Sequence, residues 1–166
     1  MTLQDFYDFE RRGVVKSKVS KTRVFFFSAK SWQNIEAQLF KTFSTGASVM
    51  LEEMGRSYGI HVAKEAKLTY SQTSKVLETL QSLAAASGWG DVELSGDLAA
   101  GTSLEMAFKD CIFCADGVRA DSASCHFLVG LAAGIADELY GSSHSAAETA
   151  CIRAAGKACV FAVKKD

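Results

Sequence analysis

Three of the five cysteines of this 166-residue chain follow residue 120, and their spacing restricts how its C-terminal part can fold. Cys151 lies in a strand-like run at 147–154, and Cys159 lies in a second run at 158–163. The two are at equal distances from Ala155, in the connection between the runs. In a symmetric hairpin, with Gly156 free to adopt a positive φ, they would face each other with Cβ atoms about 4.5–5.5 Å apart. Two thiolates at that separation form half of a tetrahedral metal site, since Zn–S bonds measure about 2.3 Å.

Two further residues are candidate ligands. Cys125 precedes a predicted helix over His126–Tyr140, and the helix dipole favours a thiolate at that end. Glu148 lies three residues before Cys151, and on an ideal strand these two side chains point to opposite faces, so Glu148 could join only at a bulge, a kink or a late strand start. Spacing alone therefore predicts three ligands and leaves the fourth open. The alternative is that the three cysteines are small buried hydrophobic residues.

The other two cysteines form a CxxC pair, Cys111 and Cys114. The pair ends a predicted strand, whereas redox CxxC motifs lie at a helix N-terminus. We expect the two thiols to diverge and to be ordinary buried or loop thiols, unless a turn begins at Asp110.

Hydrophobic periodicity predicts one α+β domain over residues 22–166, preceded by an N-terminal arm or hairpin over residues 1–21. Gly55 and Gly59 either end the first long helical region or bring it close to a neighbour. In the longer central strand, Leu104, Met106 and Phe108 share one face at period two. The predicted elements are a buried strand over Thr22–Ser28, a helix capped by Ser31 that resumes near Val49, a helix over Ser71–Ala86, strands over Asp91–Ser95 and Thr102–Phe113, a polar connection over Ala115–Ser124, the helix over His126–Tyr140 and the terminal hairpin.

Net charge, apolar segments and motifs narrow the classes of function that this chain can have. The net charge of −1 gives no electrostatic basis for binding nucleic acid. The N-terminus lacks the apolar core of a signal peptide, and no apolar run is long enough to cross a bilayer. We expect a cytoplasmic protein with reduced thiols. The three histidines are scattered, and no phosphate loop, dinucleotide fingerprint, GxSxG or HExxH motif is present, so the sequence predicts no catalytic site.

Several segments resemble the vinyl-4-reductase domain family, which includes archaeal stand-alone proteins and the sensor domains of aromatic-responsive transcription activators. The resemblance spans residues 45–163 and is carried by LEEMGRSYG at 51–59, CHFLVGLAAG at 125–134, ETAC at 148–151 and GKACVF at 156–161. In the aromatic sensors, three cysteines and one glutamate hold zinc. The resemblance therefore implies a zinc site of Cys125, Glu148, Cys151 and Cys159, which is structural because protein fills all four positions.

The resemblance also implies a TRAPP-like fold, an antiparallel sheet packed against helices on one side, with an apolar cavity that binds a hydrophobic small molecule. Its candidate lining residues are Phe43, Met50, Leu104, Met106, Phe108 and Phe127. The sensors have a ligand-contacting tryptophan where this chain has Leu104, which argues against phenol-type specificity. The alternatives are a homodimeric TRAPP-like scaffold and, less favoured because no nicotinamide-binding motif occurs, a tetrapyrrole vinyl reductase.

Overall fold

A computed structural model describes residues 2–114 and 125–166 and shows an α+β architecture, as the sequence predicts. The predicted connection at 115–124 lies outside the described residues. The elements in chain order are α1 (Leu3–Phe6), β1 (Tyr7–Arg11), β2 (Val14–Ser17), β3 (Arg23–Val24), α2 (Ala29–Phe43), α3 (Gly46–Thr69), α4 (Thr73–Ala86), β4 (Asp91–Gly96), β5 (Ser103–Lys109), α5 (His126–Tyr140), β6 (His144–Ala150) and β7 (Cys159–Lys165).

The main sheet has four antiparallel strands in the order β4-β5-β7-β6. Along β5, Leu104, Met106 and Phe108 are buried while Glu105 and Lys109 are exposed, which confirms the predicted alternation. The buried face packs against α3, α4 and α5 to form the core. Side chains on both sides of that contact are apolar, so burying them is the main source of stability for this layer.

Four glycines bring α3 and α5 into direct backbone contact. A Cβ at Gly55 would lie 1.9 Å from the Phe127 carbonyl oxygen, and one at Gly130 would lie 1.8 Å from the Glu52 carbonyl oxygen. Gly59 and Gly134 make similarly close approaches one turn further along each helix. Of the two roles left open by the sequence, Gly55 and Gly59 thus serve close packing, since α3 continues without a break to Thr69.

The N-terminal region differs from its prediction at one place. A hairpin of β1 and β2 lies within residues 1–21, as predicted, while the division of the chain at residue 21 stays a prediction. The buried strand predicted over Thr22–Ser28 is wrong: β3 holds two residues, and Phe25 is 80% exposed. Its aromatic and β-branched composition suits a strand, but no neighbouring strand pairs with residues 25–28 in the described structure. Ser28 rather than Ser31 caps α2, because its hydroxyl accepts the Ser31 N–H.

The connection within the terminal hairpin is longer than predicted. β6 ends at Ala150, and a 3₁₀ turn over Ile152–Ala154 follows. The residue with positive φ is Ala155 rather than Gly156. Gly156 is needed for a different reason, since a Cβ there would lie 2.7 Å from the Cys151 carbonyl oxygen.

Candidate functional site: metal centre and ligand cavity

All five cysteines are buried, and the fold brings them together from four places in the chain. Cys111 and Cys114 follow β5, Cys125 is the N-cap of α5, Cys151 follows β6 and Cys159 begins β7. The pairing of Ala150 with Val160 places Cys151 and Cys159 next in the same symmetric register, as their spacing predicts. The sulfurs meet at one end of the core.

Four of these sulfurs form a compact tetrahedron. The Sγ atom of Cys114 lies 3.0 Å from that of Cys125, 3.4 Å from that of Cys159 and 3.6 Å from that of Cys151. The three pairs among Cys125, Cys151 and Cys159 are each separated by 3.9 Å. Four buried sulfurs at these separations can hold a metal ion. Cys111 lies in the same cluster and forms another possible ligand set with Cys114, Cys125 and Cys159.

Glu148 also reaches the cluster. The antiparallel register shifts between Glu148 and Ala150, which is the irregularity that the sequence required for this side chain to turn towards Cys151. Its Oε2 accepts the backbone N–H of Cys125 at 2.8 Å. Its Oε1 is buried without a hydrogen-bond partner among the described residues, and such an atom is costly unless a proton or cation satisfies it. Cys125, Glu148, Cys151 and Cys159 thus form a further possible ligand set.

Mutual contact changes the acidity of the thiols. Hydrogen bonding with the Cys111, Cys114 and Cys125 thiols lowers the pKa of Cys159. Contacts with Cys111 and Cys114 raise the pKa of Cys125, and burial raises the pKa of Cys151 to about 12. The raised pKa values favour the neutral form of the Cys125 and Cys151 thiols. A bound divalent ion would stabilise their thiolate forms, because metal ligands must be deprotonated.

The expectation that Cys111 and Cys114 diverge is wrong. β5 ends at Lys109, Asp110 adopts a φ of 51°, and the N–H of Cys114 bonds to the carbonyl of Cys111 in a turn. The turn directs both thiols into the cluster. The CxxC spacing was the available signal for Cys114, but its interpretation depended on where the strand ends.

An apolar cavity of about 100 Å³ lies between the helices and the sheet. Tyr58 stacks on Trp89 at one wall, with ring centroids 5.7 Å apart. The polar groups at the cavity include the Tyr7 hydroxyl, which hydrogen-bonds the Ser87 hydroxyl at 2.8 Å. The full lining comprises Tyr7, Tyr58, Val62, Leu77, Leu80, Gln81, Leu83, Ala84, Ser87, Trp89, Val92, Leu94, Met106, Phe108, Leu131 and Ile135.

The structure places the six predicted ligand contacts in three environments. Met106 and Phe108 line the cavity, and Leu104 is buried on the same strand face outside the lining. Phe127 packs against Tyr58 and Trp89, behind the cavity wall. Their roles as ligand contacts stay predictions.

Phe43 and Met50 lie outside the lining of this cavity, and their role as ligand contacts also stays a prediction. Both are exposed, at the end of α2 and near the start of α3, because the apolar faces there turn away from the sheet. The residues that replace them as cavity walls come from α4 and from the segment around Trp89. Helical periodicity identified apolar faces but could not assign each face to the core or to the surface.

Comparison with known proteins follows this geometry. Residues 104–165 match the model of the vinyl-4-reductase domain family. The predicted resemblance to this family is confirmed. The matched segment includes nearly all of β5, with α5 and the terminal hairpin, and therefore all five cysteines. No curated protein matches the chain.

Solved structures share the fold at low sequence identity. The phenol-responsive sensory domain of the transcription activator PoxR, solved with phenol, is 21% identical with a TM-score of 0.81, covering 98% of this chain and 86% of that one. A trafficking protein particle complex subunit 3 from Naegleria fowleri, covalently bound to palmitic acid, is 12% identical with a TM-score of 0.64 and coverage of 83% and 92%. A vinyl-4-reductase family protein from Methanocaldococcus jannaschii is 16% identical with a TM-score of 0.61 and coverage of 86% and 84%.

These likenesses show the fold, including the predicted TRAPP-like relationship. Among the described residues, no helix combines the length and apolar character that crossing a membrane requires.

Proposed function

We propose that this protein is a zinc-stabilised domain that binds or senses a small hydrophobic molecule and has no catalytic role of its own. The observation that carries the proposal is the apolar cavity between the helices and the inner face of the sheet. Ligand sites are typically concave, mostly apolar and equipped with a few polar groups. The phenol-bound sensory domain with the same fold supports a small-molecule ligand.

The size and lining of the cavity indicate the class of ligand. A cavity of about 150 Å³ lined by apolar side chains binds benzene, and the cavity here measures about 100 Å³. We infer that the part of the ligand held in this cavity is about one ring or a short aliphatic chain. The stacked Tyr58 and Trp89 favour a flat apolar group, and the Tyr7–Ser87 pair can exchange a hydrogen bond with one polar substituent.

The ligand proposal is tested by filling the cavity. Ala84 lines it, while the neighbouring Ala85 is exposed on the same helix. At least one of a set of single-ring compounds with and without a hydroxyl, such as phenol and toluene, should raise the melting temperature of the wild type and of Ala85→Leu but not of Ala84→Leu. Absence of any such shift, with no small molecule seen in native mass spectra of the purified protein, would contradict the proposal.

Zinc fits the donors at the cysteine cluster. Thiolate and imidazole or carboxylate ligands in a tetrahedral arrangement are typical of zinc, and a site closed by four protein ligands is structural. Cys125, Cys151 and Cys159 would supply three sulfurs, and Glu148 or Cys114 the fourth donor. The ion would link the start of α5 to the terminal hairpin.

The zinc proposal is tested by metal analysis of protein purified without added zinc. We expect about one equivalent in the wild type and loss of metal in Cys151→Ser, because its sulfur belongs to the set that Glu148 completes and to the set that Cys114 completes. A metal-free wild type with undiminished stability would contradict it.

The second candidate function is that of a dimeric scaffold, which exposed apolar residues favour. Phe25, Phe26, Phe27, Ile35, Phe43, Val49, Met50 and Met54 are all exposed along the segment before α2, α2 and the first half of α3. Such a surface is typical of an interface. We propose that a second copy of the chain covers it, which is compatible with ligand binding; a clean dimer without any bound molecule would favour the scaffold.

Three further expectations stay proposals. A tetrapyrrole vinyl reductase would need a hydride donor, and activity with a reduced nicotinamide would replace the binding proposal. A cytoplasmic location is compatible with five cysteines outside disulfides, because thiols stay reduced in the cytoplasm. The archaeal type rests on the family resemblance alone.

A further inference from the structure

We infer that Cys114 is the fourth ligand of the proposed zinc ion, so that four thiolates bind it. Glu148 then does not coordinate the ion in the wild type. This inference rests on the zinc site proposed above. It extends that site to the CxxC turn after β5, which the sequence predicted to be uninvolved.

The first support is the shape of the sulfur cluster. Zn–S bonds of about 2.3 Å in a regular tetrahedron place each pair of sulfurs about 3.8 Å apart. The six separations among Cys114, Cys125, Cys151 and Cys159 lie between 3.0 and 3.9 Å. Four sulfurs from four chain segments thus surround a position within bonding distance of all of them, after a small outward shift of Cys114 away from Cys125.

The second support is the structural role that Glu148 already has. Its Oε2 accepts the N–H of Cys125, and this bond fixes the backbone from which the Cys125 thiolate projects. Its Oε1 has no partner among the described residues and lies in the same cluster. The carboxylate is therefore placed to enter the coordination sphere beside Cys125, Cys151 and Cys159 when the sulfur of Cys114 is removed. Zinc binds thiolate in preference where both are available, because thiolate is the softer ligand.

Cys111 is the matched control for Cys114. Its thiol also lies in the cluster, within 4.8 Å of Cys114, Cys125 and Cys159. A ligand set that used Cys111 would leave out Cys151. The Cys151 Sγ atom lies 3.6–3.9 Å from the sulfurs of Cys114, Cys125 and Cys159, as a tetrahedral site requires. Cys111 is thus a neighbour that can donate its S–H to a zinc-bound thiolate.

The consequence concerns the cavity. β5 contributes Met106 and Phe108 to the cavity lining and leads, through Asp110, into the turn that carries Cys114. With Cys114 bound, the zinc ion would anchor the end of a cavity wall as well as α5 and the terminal hairpin. Without Cys114, the cavity strand would have no direct link to the ion.

Zinc K-edge X-ray absorption on the purified full chain tests the ligand set. We expect four sulfurs at about 2.3 Å in the wild type and in Cys111→Ser. In Cys114→Ser, we expect close to one zinc with three sulfurs and one oxygen at about 2.0–2.2 Å. Zinc affinity in a chelator competition should fall at least about tenfold in that variant, the smallest loss typical of a perturbed metal site.

Glu148→Gln keeps the test decisive if Cys114→Ser fails to fold. We expect this variant to retain one zinc and four sulfurs, and the double variant Cys114→Ser with Glu148→Gln to lose the metal. Three sulfurs and one oxygen in the wild type, unchanged by Cys114→Ser, would overturn the inference while leaving the zinc proposal intact. A wild type without zinc would overturn the zinc proposal itself.

Discussion

The C-terminal and N-terminal parts of this molecule use apolar residues in opposite ways. In α5, eight of the fifteen residues are buried, and glycines let its backbone touch that of α3. In α2, whose fifteen residues are all described, none is buried. The C-terminal part buries its apolar residues within one chain. The N-terminal part presents an apolar surface that a single chain leaves exposed. Stability and metal binding should therefore depend on the C-terminal part, and association on the N-terminal part.

Removal of metal should give the largest effect and should be confined to the C-terminal part. If zinc is present at about a thousand times its dissociation constant, binding stabilises the folded state by about 4 kcal/mol. Dialysis against a chelator should lower the melting temperature by roughly 10 °C in a protein of this size. Hydrogen exchange should show faster exchange in β6, β7 and the start of α5, with little change in α2. An equal increase in exchange rate along the whole chain would contradict the contrast between the two parts.

The glycine contact should give the next largest effect. Gly130→Ala places a Cβ against the Glu52 carbonyl, so α3 and α5 must move apart, and overpacking of this kind costs about 3 kcal/mol. Gly46→Ala is the control, since the nearest atom to a Cβ there lies 4.0 Å away. Chemical denaturation should show a large loss for the first variant and none for the second. Equal stabilities would mean that the two helices do not depend on backbone contact.

Charging the N-terminal apolar surface should change association without changing stability. Val49→Lys should convert a dimer to a monomer, because Val49 is 61% exposed in the single chain and a charge would be costly in an interface. The free energy of unfolding of the monomer should change by less than about 0.5 kcal/mol. Light scattering after size exclusion gives the mass. Leu68→Lys is the control, since Leu68 is 77% exposed at the far end of α3; a monomeric wild type would contradict the prediction.

Loss of the Tyr7–Ser87 hydrogen bond should give the smallest effect. Tyr7→Phe removes a bond between the N-terminal arm and the end of α4, worth about 1 kcal/mol. Denaturation measures the loss, and Ser87→Ala should give a similar one. A double variant no less stable than either single variant would confirm that the two hydroxyls act on each other.

The sequence predicted the fold best where one physical constraint sufficed. The alternation along β5 and the apolar stripe of α5 each require only a buried face, and both are confirmed. The symmetric spacing of Cys151 and Cys159 about Ala155 follows from hairpin geometry, and the register agrees with it. Glu148 needed an irregularity in its strand, and that irregularity is present.

The sequence failed where a residue pattern suits two environments. The aromatic run at Phe25–Phe27 has strand composition, but pairing depends on a neighbouring strand that is not available to it. In the same way, the CxxC pair was interpreted as divergent because its strand was predicted to continue past Lys109.

By itself, the sequence determined the fold class, the family resemblance and three of the sulfurs that gather at one end of the core. Only the tertiary structure decided which glycines permit helix contact, which apolar faces remain exposed and which donors reach the fourth position of the metal centre. Spacing along a chain fixes local direction, because backbone geometry repeats within one element. The relative placement of Cys114 and Glu148 depends instead on where two distant strands end and bulge, and those points are set by packing between elements.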